Sequence, residues 1–174
     1  MRLLLERGAD PGQYVDWPAL HHALARGRSA EFLRLLVTLD DDARDMLIEL
    51  AMRDLDGLGR VVDAVGPRFR ARWGGGPSGT LLHQASWIGR PDFVEVLLRR
   101  GAEVDEPVET EYATPLGWAA VGSRYSPAHP HDTFSFPDAD HVGVARLLVA
   151  AGARIEPKFV EMAVPPLSDW LAVH

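Results

Sequence analysis

The residues best suited to chemistry lie together in one proline-rich stretch of the chain. Three histidines and three aspartates fall between positions 129 and 141, and imidazole and carboxylate groups can bind zinc and other transition metals. His-x-His on a proline-rich segment has no recognised metal-binding spacing, so a solvated loop or a partner contact is the competing interpretation. The six residues are His129, His131, Asp132, Asp138, Asp140 and His141.

No recognised catalytic motif accompanies these side chains. A nucleophilic enzyme needs a nucleophile, a positioned base and an oxyanion stabiliser, and the sequence contains neither Gly-x-Ser-x-Gly nor His-Glu-x-x-His. The three consecutive glycines within Arg72–Gly79 are not followed by the Gly-Lys-Ser/Thr of a phosphate-binding loop, so they indicate a flexible turn. We therefore predict no catalytic residue, no metal and no cofactor.

The composition is that of an acidic globular protein. The 174 residues carry a formal charge of −7 and include no cysteine, which excludes disulfides, thiolate metal sites and a cysteine nucleophile. An acidic chain repels phosphate backbones, so we predict no nucleic-acid partner. No stretch approaches the roughly 20 apolar residues of a membrane-spanning helix. We predict a cytoplasmic protein with no membrane partner.

Two short sequence patterns, which we call phrases, recur along the chain. Self-similarity of this kind predicts a repeat architecture. The first is an apolar cluster followed by two residues and then Gly-Ala with a polar residue. The second is a helix-like phrase of small and apolar residues that ends in glycine. The first phrase occurs as LLLERGAD (3–10), EVLLRRGAEVD (95–105) and ARLLVAAGARIE (145–156), and the second as PALHHALARG (18–27), GTLLHQASWIG (79–89) and ATPLGWAAVG (113–122).

One repeated unit has the pattern of two short amphipathic helices. Thr80 suits the N-cap of the first helix and Gly89 its left-handed end. Val94, Leu97 and Leu98 have the helical spacing of a buried stripe in the second. Each buried Leu or Val contributes about 1.5–3 kcal/mol, while ordering the backbone costs about 1–2 kcal/mol per residue. Such a unit is expected to be stable only when neighbouring units stack against it.

These phrases resemble the ankyrin repeat. Thr-Pro-Leu, Leu-His-x-Ala and the Leu-Leu-x-x-Gly-Ala endings are similar to its signature, which has a period of about 33 residues. The resemblance implies an all-α ankyrin-repeat solenoid of stacked helix-turn-helix units, forming a single domain over residues 1–174. The expected parts are a half repeat at 1–10, repeats at 16–40, 41–66, 79–105 and 113–156, an insertion at 123–140, and a C-terminal cap at 157–174.

The resemblance also implies a structural role for His83. In ankyrin repeats the matching histidine bonds to the backbone of the neighbouring unit and to the capping threonine, here Thr80. Gly117 stands at the histidine's place in the next unit, so we expect that bond to be missing there. Trp118 is expected in the core and Trp170 in the C-terminal cap.

Protein–protein recognition through a concave groove and the inserted loop is the function that the resemblance implies. In the repeat, the positions just after the Ala-Ala pair end the first helix and face this groove, and here they are Trp87 and Ile88. Exposed aromatic residues with arginine are typical of interface hot spots. The insertion could instead fold over Trp87 and bury it. The alternative function is a small-molecule or metal site, or an enzyme, with a site between the insertion and the groove. The predicted contacts to a protein partner are Trp17, Arg26, Trp87, Ile88, Arg100, Tyr112, Tyr125 and Phe134.

Overall fold

The computed structural model describes residues 30–37, 41–72, 76–125, 136 and 138–174, and its contacts divide the chain into two compact units, Met1–Gly76 and Pro77–His174. The predicted half repeat and the first part of repeat 16–40 lie outside the described residues. The described chain is mostly helical, with two strands of two residues each. Its elements are α1 (Ala30–Val37), α2 (Asp41–Ala51), α3 (Leu55–Val65), β1 (Arg70–Ala71), β2 (Gly79–Thr80), α4 (Leu81–Trp87), α5 (Pro91–Arg99), α6 (Pro115–Tyr125), α7 (His141–Ala150), α8 (Pro157–Met162) and α9 (Leu167–Leu171).

In the first unit, α3 packs against both α1 and α2. Its N-terminus is capped by Asp54, whose carboxylate accepts from the Gly57 amide at 2.7 Å. Leu58, Val61 and Val62 recur at helical spacing and are buried, because this stripe faces the other two helices. The two helices predicted for residues 41–66 are therefore present as α2 and α3.

The helices of the second unit pack as three successive pairs, α4 with α5, α6 with α7 and α8 with α9. The first helices of the pairs are neighbours, since α4 packs on α6 and α6 on α8. The second helices follow the same order, since α5 packs on α7 and α7 on α9. Large apolar side chains of these helices are buried with at most 1% of their surface exposed. They include Leu82, Phe93, Leu97, Leu116, Leu148, Phe159 and Leu167.

Threonine side chains cap the first helix of the first pair, as predicted for Thr80, and the first helix of the second pair. The Thr80 hydroxyl accepts from the His83 amide at 3.4 Å at the start of α4, and the Thr114 hydroxyl accepts from the Gly117 amide at 3.3 Å at the start of α6. Both bonds satisfy a backbone donor that the first helical turn leaves free.

Gly89 joins the end of α4 to the far end of the insertion. Its φ of +68° lies in the left-handed region, and its carbonyl accepts from the Asp140 amide at 2.8 Å. A Cβ atom at this position would lie 2.7 Å from the Cβ of Ala139 and 2.9 Å from the ring of His141. Glycine is therefore required here both by the backbone conformation and by the close approach of residues 139–141.

We expect Gly89→Ala to lower the free energy of unfolding by more than Gly101→Ala. Gly101 has a similar φ of +82°, but a Cβ there would have no atom within 4 Å. Gly101→Ala, the control, should therefore lose only about 1–2 kcal/mol of unfolding free energy, the cost of a left-handed backbone at a residue with a Cβ atom. Gly89→Ala should lose about 1–3 kcal/mol more, because its Cβ atom also overpacks the site. Urea unfolding of both variants measures the difference. Equal losses would contradict the close packing of residues 139–141 on Gly89.

Candidate functional site

Four aromatic side chains of the second unit form one cluster, which we call the aromatic cluster: Trp87, Tyr112, Trp118 and Tyr125. The ring centre of Trp87 lies 5.9 Å from that of Trp118, 6.2 Å from that of Tyr112 and 6.3 Å from that of Tyr125. Trp87 and Tyr125 are nearly parallel, whereas Tyr112 meets Trp118 edge to face at 5.7 Å. Such pairs are each worth about 0.5–1.5 kcal/mol beyond the burial of their area.

The cluster is graded from buried to exposed. Trp118 retains only 2% of its surface, Trp87 and Tyr112 are half-buried, and Tyr125 is 47% exposed. The prediction that Trp118 belongs to the core is confirmed. Burial, and then the negative charge of Glu111, raise the pKa of the Tyr112 hydroxyl, so that this hydroxyl stays protonated and can donate a hydrogen bond.

His83 holds the two helix pairs that carry the cluster in register. Its Nδ1 accepts from the backbone amide of Thr80 at 3.3 Å and lies 2.7 Å from the Thr80 hydroxyl. This assigns the proton to Nε2, which donates to the Ala113 carbonyl at 3.0 Å. The imidazole ring also meets Trp118 edge to face at 5.2 Å. The predicted structural role of His83 is confirmed.

Two glycines of α6 allow the backbone that carries the exposed rings to approach the helix. A Cβ at Gly117 would lie 1.9 Å from the Tyr112 carbonyl oxygen and 2.8 Å from the ring of Phe159. A Cβ at Gly122 would lie 2.2 Å from the Trp87 carbonyl oxygen. No histidine could occupy position 117, because any Cβ would collide with the backbone.

Sequence reasoning missed this role of the glycines, although a signal was present. Glycine in a helix interior costs about 1 kcal/mol relative to alanine, and α6 carries two. Glycines that destabilise a helix in this way indicate that close packing against the helix requires them.

His141 connects the first turn of α7 to Trp87. It retains 6% of its surface, and its Nε2 donates to the Trp87 carbonyl at 2.9 Å. Desolvation lowers the pKa of the imidazole, while the bond to Trp87 and the charge of Asp140 oppose the shift. The ring is therefore a neutral structural donor with Nε2 already used.

The other metal-site candidates are not assembled into a ligand set in the part of the chain that the structure describes. Among those residues, no group of three or more His, Cys, Asp or Glu side chains could hold a metal ion. His129, His131 and Asp132 lie outside the described residues.

A cavity of about 380 Å³ lies between the α4–α5 turn and the described end of the insertion. The Arg90 guanidinium forms two hydrogen bonds to Asp92, at 2.9 and 2.6 Å, which raise the pKa of Arg90 and lower that of Asp92. Asp140 is also engaged, because its carboxylate accepts from the Gly143 amide at 2.7 Å. The lining residues are Gly89, Arg90, Pro91, Asp92, Phe136, Asp138, Ala139 and Asp140.

The predicted contact residues have different outcomes. Trp87, Tyr112 and Tyr125 are brought together in the aromatic cluster, and Arg100 lies exposed at the end of α5. The prediction that Ile88 faces solvent is wrong, since none of its surface is exposed. α4 ends at Trp87, and the chain then turns so that Ile88 points into the core. The other three, Trp17, Arg26 and Phe134, lie outside the described residues.

Comparison with known proteins identifies one segment of the chain. Residues 79–107 match the family model of the ankyrin repeat. This segment includes α4, α5 and His83, and it agrees with the repeat predicted at 79–105. No curated protein matches the chain. None of the described helices has the length and apolar character needed to cross a membrane.

We expect acidification to destabilise the fold through His141. Because burial lowers the pKa of this imidazole, the unfolded chain takes up the proton first. The contribution of His141 is complete above the unfolded pKa of about 6.5 and is lost as the pH falls below it. His141→Gln keeps an N–H donor that does not titrate. The unfolding free energy of the wild type, minus that of this variant, should therefore decrease between pH 7.5 and pH 5 in urea titrations. Parallel pH profiles would contradict a buried neutral imidazole.

Proposed function

We propose that this chain binds another protein, and that the aromatic cluster is the centre of the binding surface. Ankyrin repeats are generally protein-interaction modules, and the chain contains one at residues 79–107. The observation that carries the proposal is that Trp87, Tyr112 and Tyr125 remain partly exposed above the buried Trp118. Stacking of the helix pairs does not account for three large rings at the surface.

The rings have the properties of interface hot spots. Tryptophan and tyrosine supply large contact areas at a low cost in side-chain entropy, since each has only two rotatable side-chain bonds. Contacts with Trp118 and the approach of backbone to Gly117 and Gly122 restrict their movement further. A surface ordered before binding loses less free energy when the partner docks.

The finer architecture is part of the same proposal. We take the successive pairs α4–α5, α6–α7 and α8–α9 as a short ankyrin solenoid, with the aromatic cluster on its concave side. The order in which first helices contact first helices supports this arrangement. Arg100 and the residues outside the described ranges remain predicted contacts of the same partner.

The alternative, a small-molecule or metal site beside the insertion, ranks second. The cavity at the α4–α5 turn lies where this alternative requires a site. Its Arg90 and Asp92 side chains are bonded to each other and Asp140 caps α7, so few polar groups converge on the space. Ligand sites need such convergent polar groups to orient what they bind.

Site-specific photo-crosslinking tests the proposed surface. We expect p-benzoylphenylalanine in place of Tyr125 to capture a protein covalently, and the same amino acid in place of Arg146, which is exposed on α7, to capture none. The binding of the captured protein should weaken at least about tenfold in Tyr125→Ala, since aromatic hot-spot residues contribute more than about 1.4 kcal/mol. Arg146→Ala should bind like the wild type. Equal capture at both positions, or unchanged binding by Tyr125→Ala, would contradict the proposal.

A further inference from the structure

We infer that the partner segment bound by the aromatic cluster is basic, with an arginine or lysine side chain placed against the rings. This inference rests on the proposed function and adds the chemistry of the partner to it. Three observations carry it: the arrangement of the exposed rings, the carboxylates beside them, and the charge of the second unit.

The exposed rings suit a cation. The face of an aromatic ring is electron-rich, and it attracts an ammonium or guanidinium group within about 6 Å of its centre. Trp87, which attracts cations best among the aromatic side chains, has the rings of Tyr112 and Tyr125 centred 6.2 and 6.3 Å from its own. Rings at this separation are close enough for one guanidinium group to contact two of them.

Acidic residues precede Tyr112 in the sequence. The connection between α5 and α6 carries five acidic residues between positions 103 and 111 and no basic one. Glu109 and Glu111 in this connection are exposed, and neither forms an ion pair within the described residues. The charge of Glu111 acts directly on the neighbouring Tyr112 hydroxyl. A cation over the rings would therefore also meet negative charge at their edge.

No arginine of the described residues pairs with Glu109 or Glu111, and Arg154 pairs instead with Asp105 at 3.2 Å. Arg124 precedes Tyr125, but its guanidinium donates to the Glu161 carbonyl of α8 at 3.4 Å. Residues 77–174 contain 13 acidic and 7 basic side chains, so they account for −6 of the total charge of −7. A basic segment would be attracted by this field and an acidic one repelled. An apolar segment could use the rings but would gain nothing from the carboxylates.

A random 12-residue peptide display library, selected against the full chain, tests the inference. We expect the enriched peptides to contain arginine or lysine. The binding of the best peptide should weaken about tenfold when its arginine is replaced by the neutral isostere citrulline. It should weaken by a similar factor in Tyr125→Leu, which keeps an apolar side chain but removes the ring, and should be retained in Tyr125→Phe. Circular dichroism of each variant checks that it is folded.

A charge-matched pair of variants separates local recognition from attraction to the whole protein. Glu111→Gln removes one negative charge beside the rings, and Asp169→Asn removes one from the exposed side of α9. Only Glu111→Gln should weaken the binding of the peptide. Equal weakening, or basic peptides that bind Tyr125→Leu normally, would overturn the inference.

The remaining outcomes separate this inference from the proposed function. Apolar or acidic peptides that depend on Tyr125 would overturn the basic partner and leave protein binding at the cluster supported. If no peptide depends on Tyr125, the inference fails as well, and the photo-crosslinking result then decides the proposed function by itself.

Discussion

His83 donates from Nε2 to the Ala113 carbonyl between two helix pairs, and the aromatic cluster is arranged around that bond. The same carbonyl accepts from the Val108 amide at 2.9 Å, which closes the turn that contains Tyr112. Since Nδ1 of the same ring accepts from Thr80, one fully buried side chain joins the start of α4 to this turn. Hydrogen bonds of this kind make a small net contribution to the free energy of unfolding, but leaving a buried donor or acceptor without a partner costs about 1–3 kcal/mol. The bond therefore constrains how the pair α4–α5 can pack against the pair α6–α7.

The rings are positioned mainly through backbone contacts. Gly117 admits the Tyr112 carbonyl and Gly122 the Trp87 carbonyl, while His141 fixes the Trp87 carbonyl from a second direction. Backbone held in this way moves little, because the interior is packed too densely to deform continuously. A surface supported in this way is ordered in advance, and the proposed binding of a protein partner uses this property.

The local features of the repeat could be predicted from the sequence, whereas most long-range contacts could not. Thr80 and Gly89 belong to short motifs whose physics is contained within a few residues, and the structure places them as expected. The bond of His83 to Ala113, 30 positions away, could be predicted only through the resemblance to the ankyrin repeat. Ile88 was misjudged because the direction of a side chain at a helix end depends on the turn that follows. The approach of distant backbone to Gly117 and Gly122 is likewise set by tertiary packing. The grouping of Trp87 with Tyr125, 38 positions later in the sequence, required the same information.

Native-state hydrogen exchange at Val108 and Ala113 tests the constraint imposed by His83 most directly. His83→Leu should reduce the protection of these two amides by about 10- to 100-fold beyond any change in global stability, as the loss of a buried bond worth about 1–3 kcal/mol requires. Ser86→Ala is the matched control, because Ser86 is equally buried in α4 but bonds only to Leu82 in its own helix. It should leave both amides protected. Wild-type protection of Val108 and Ala113 in His83→Leu would contradict the account.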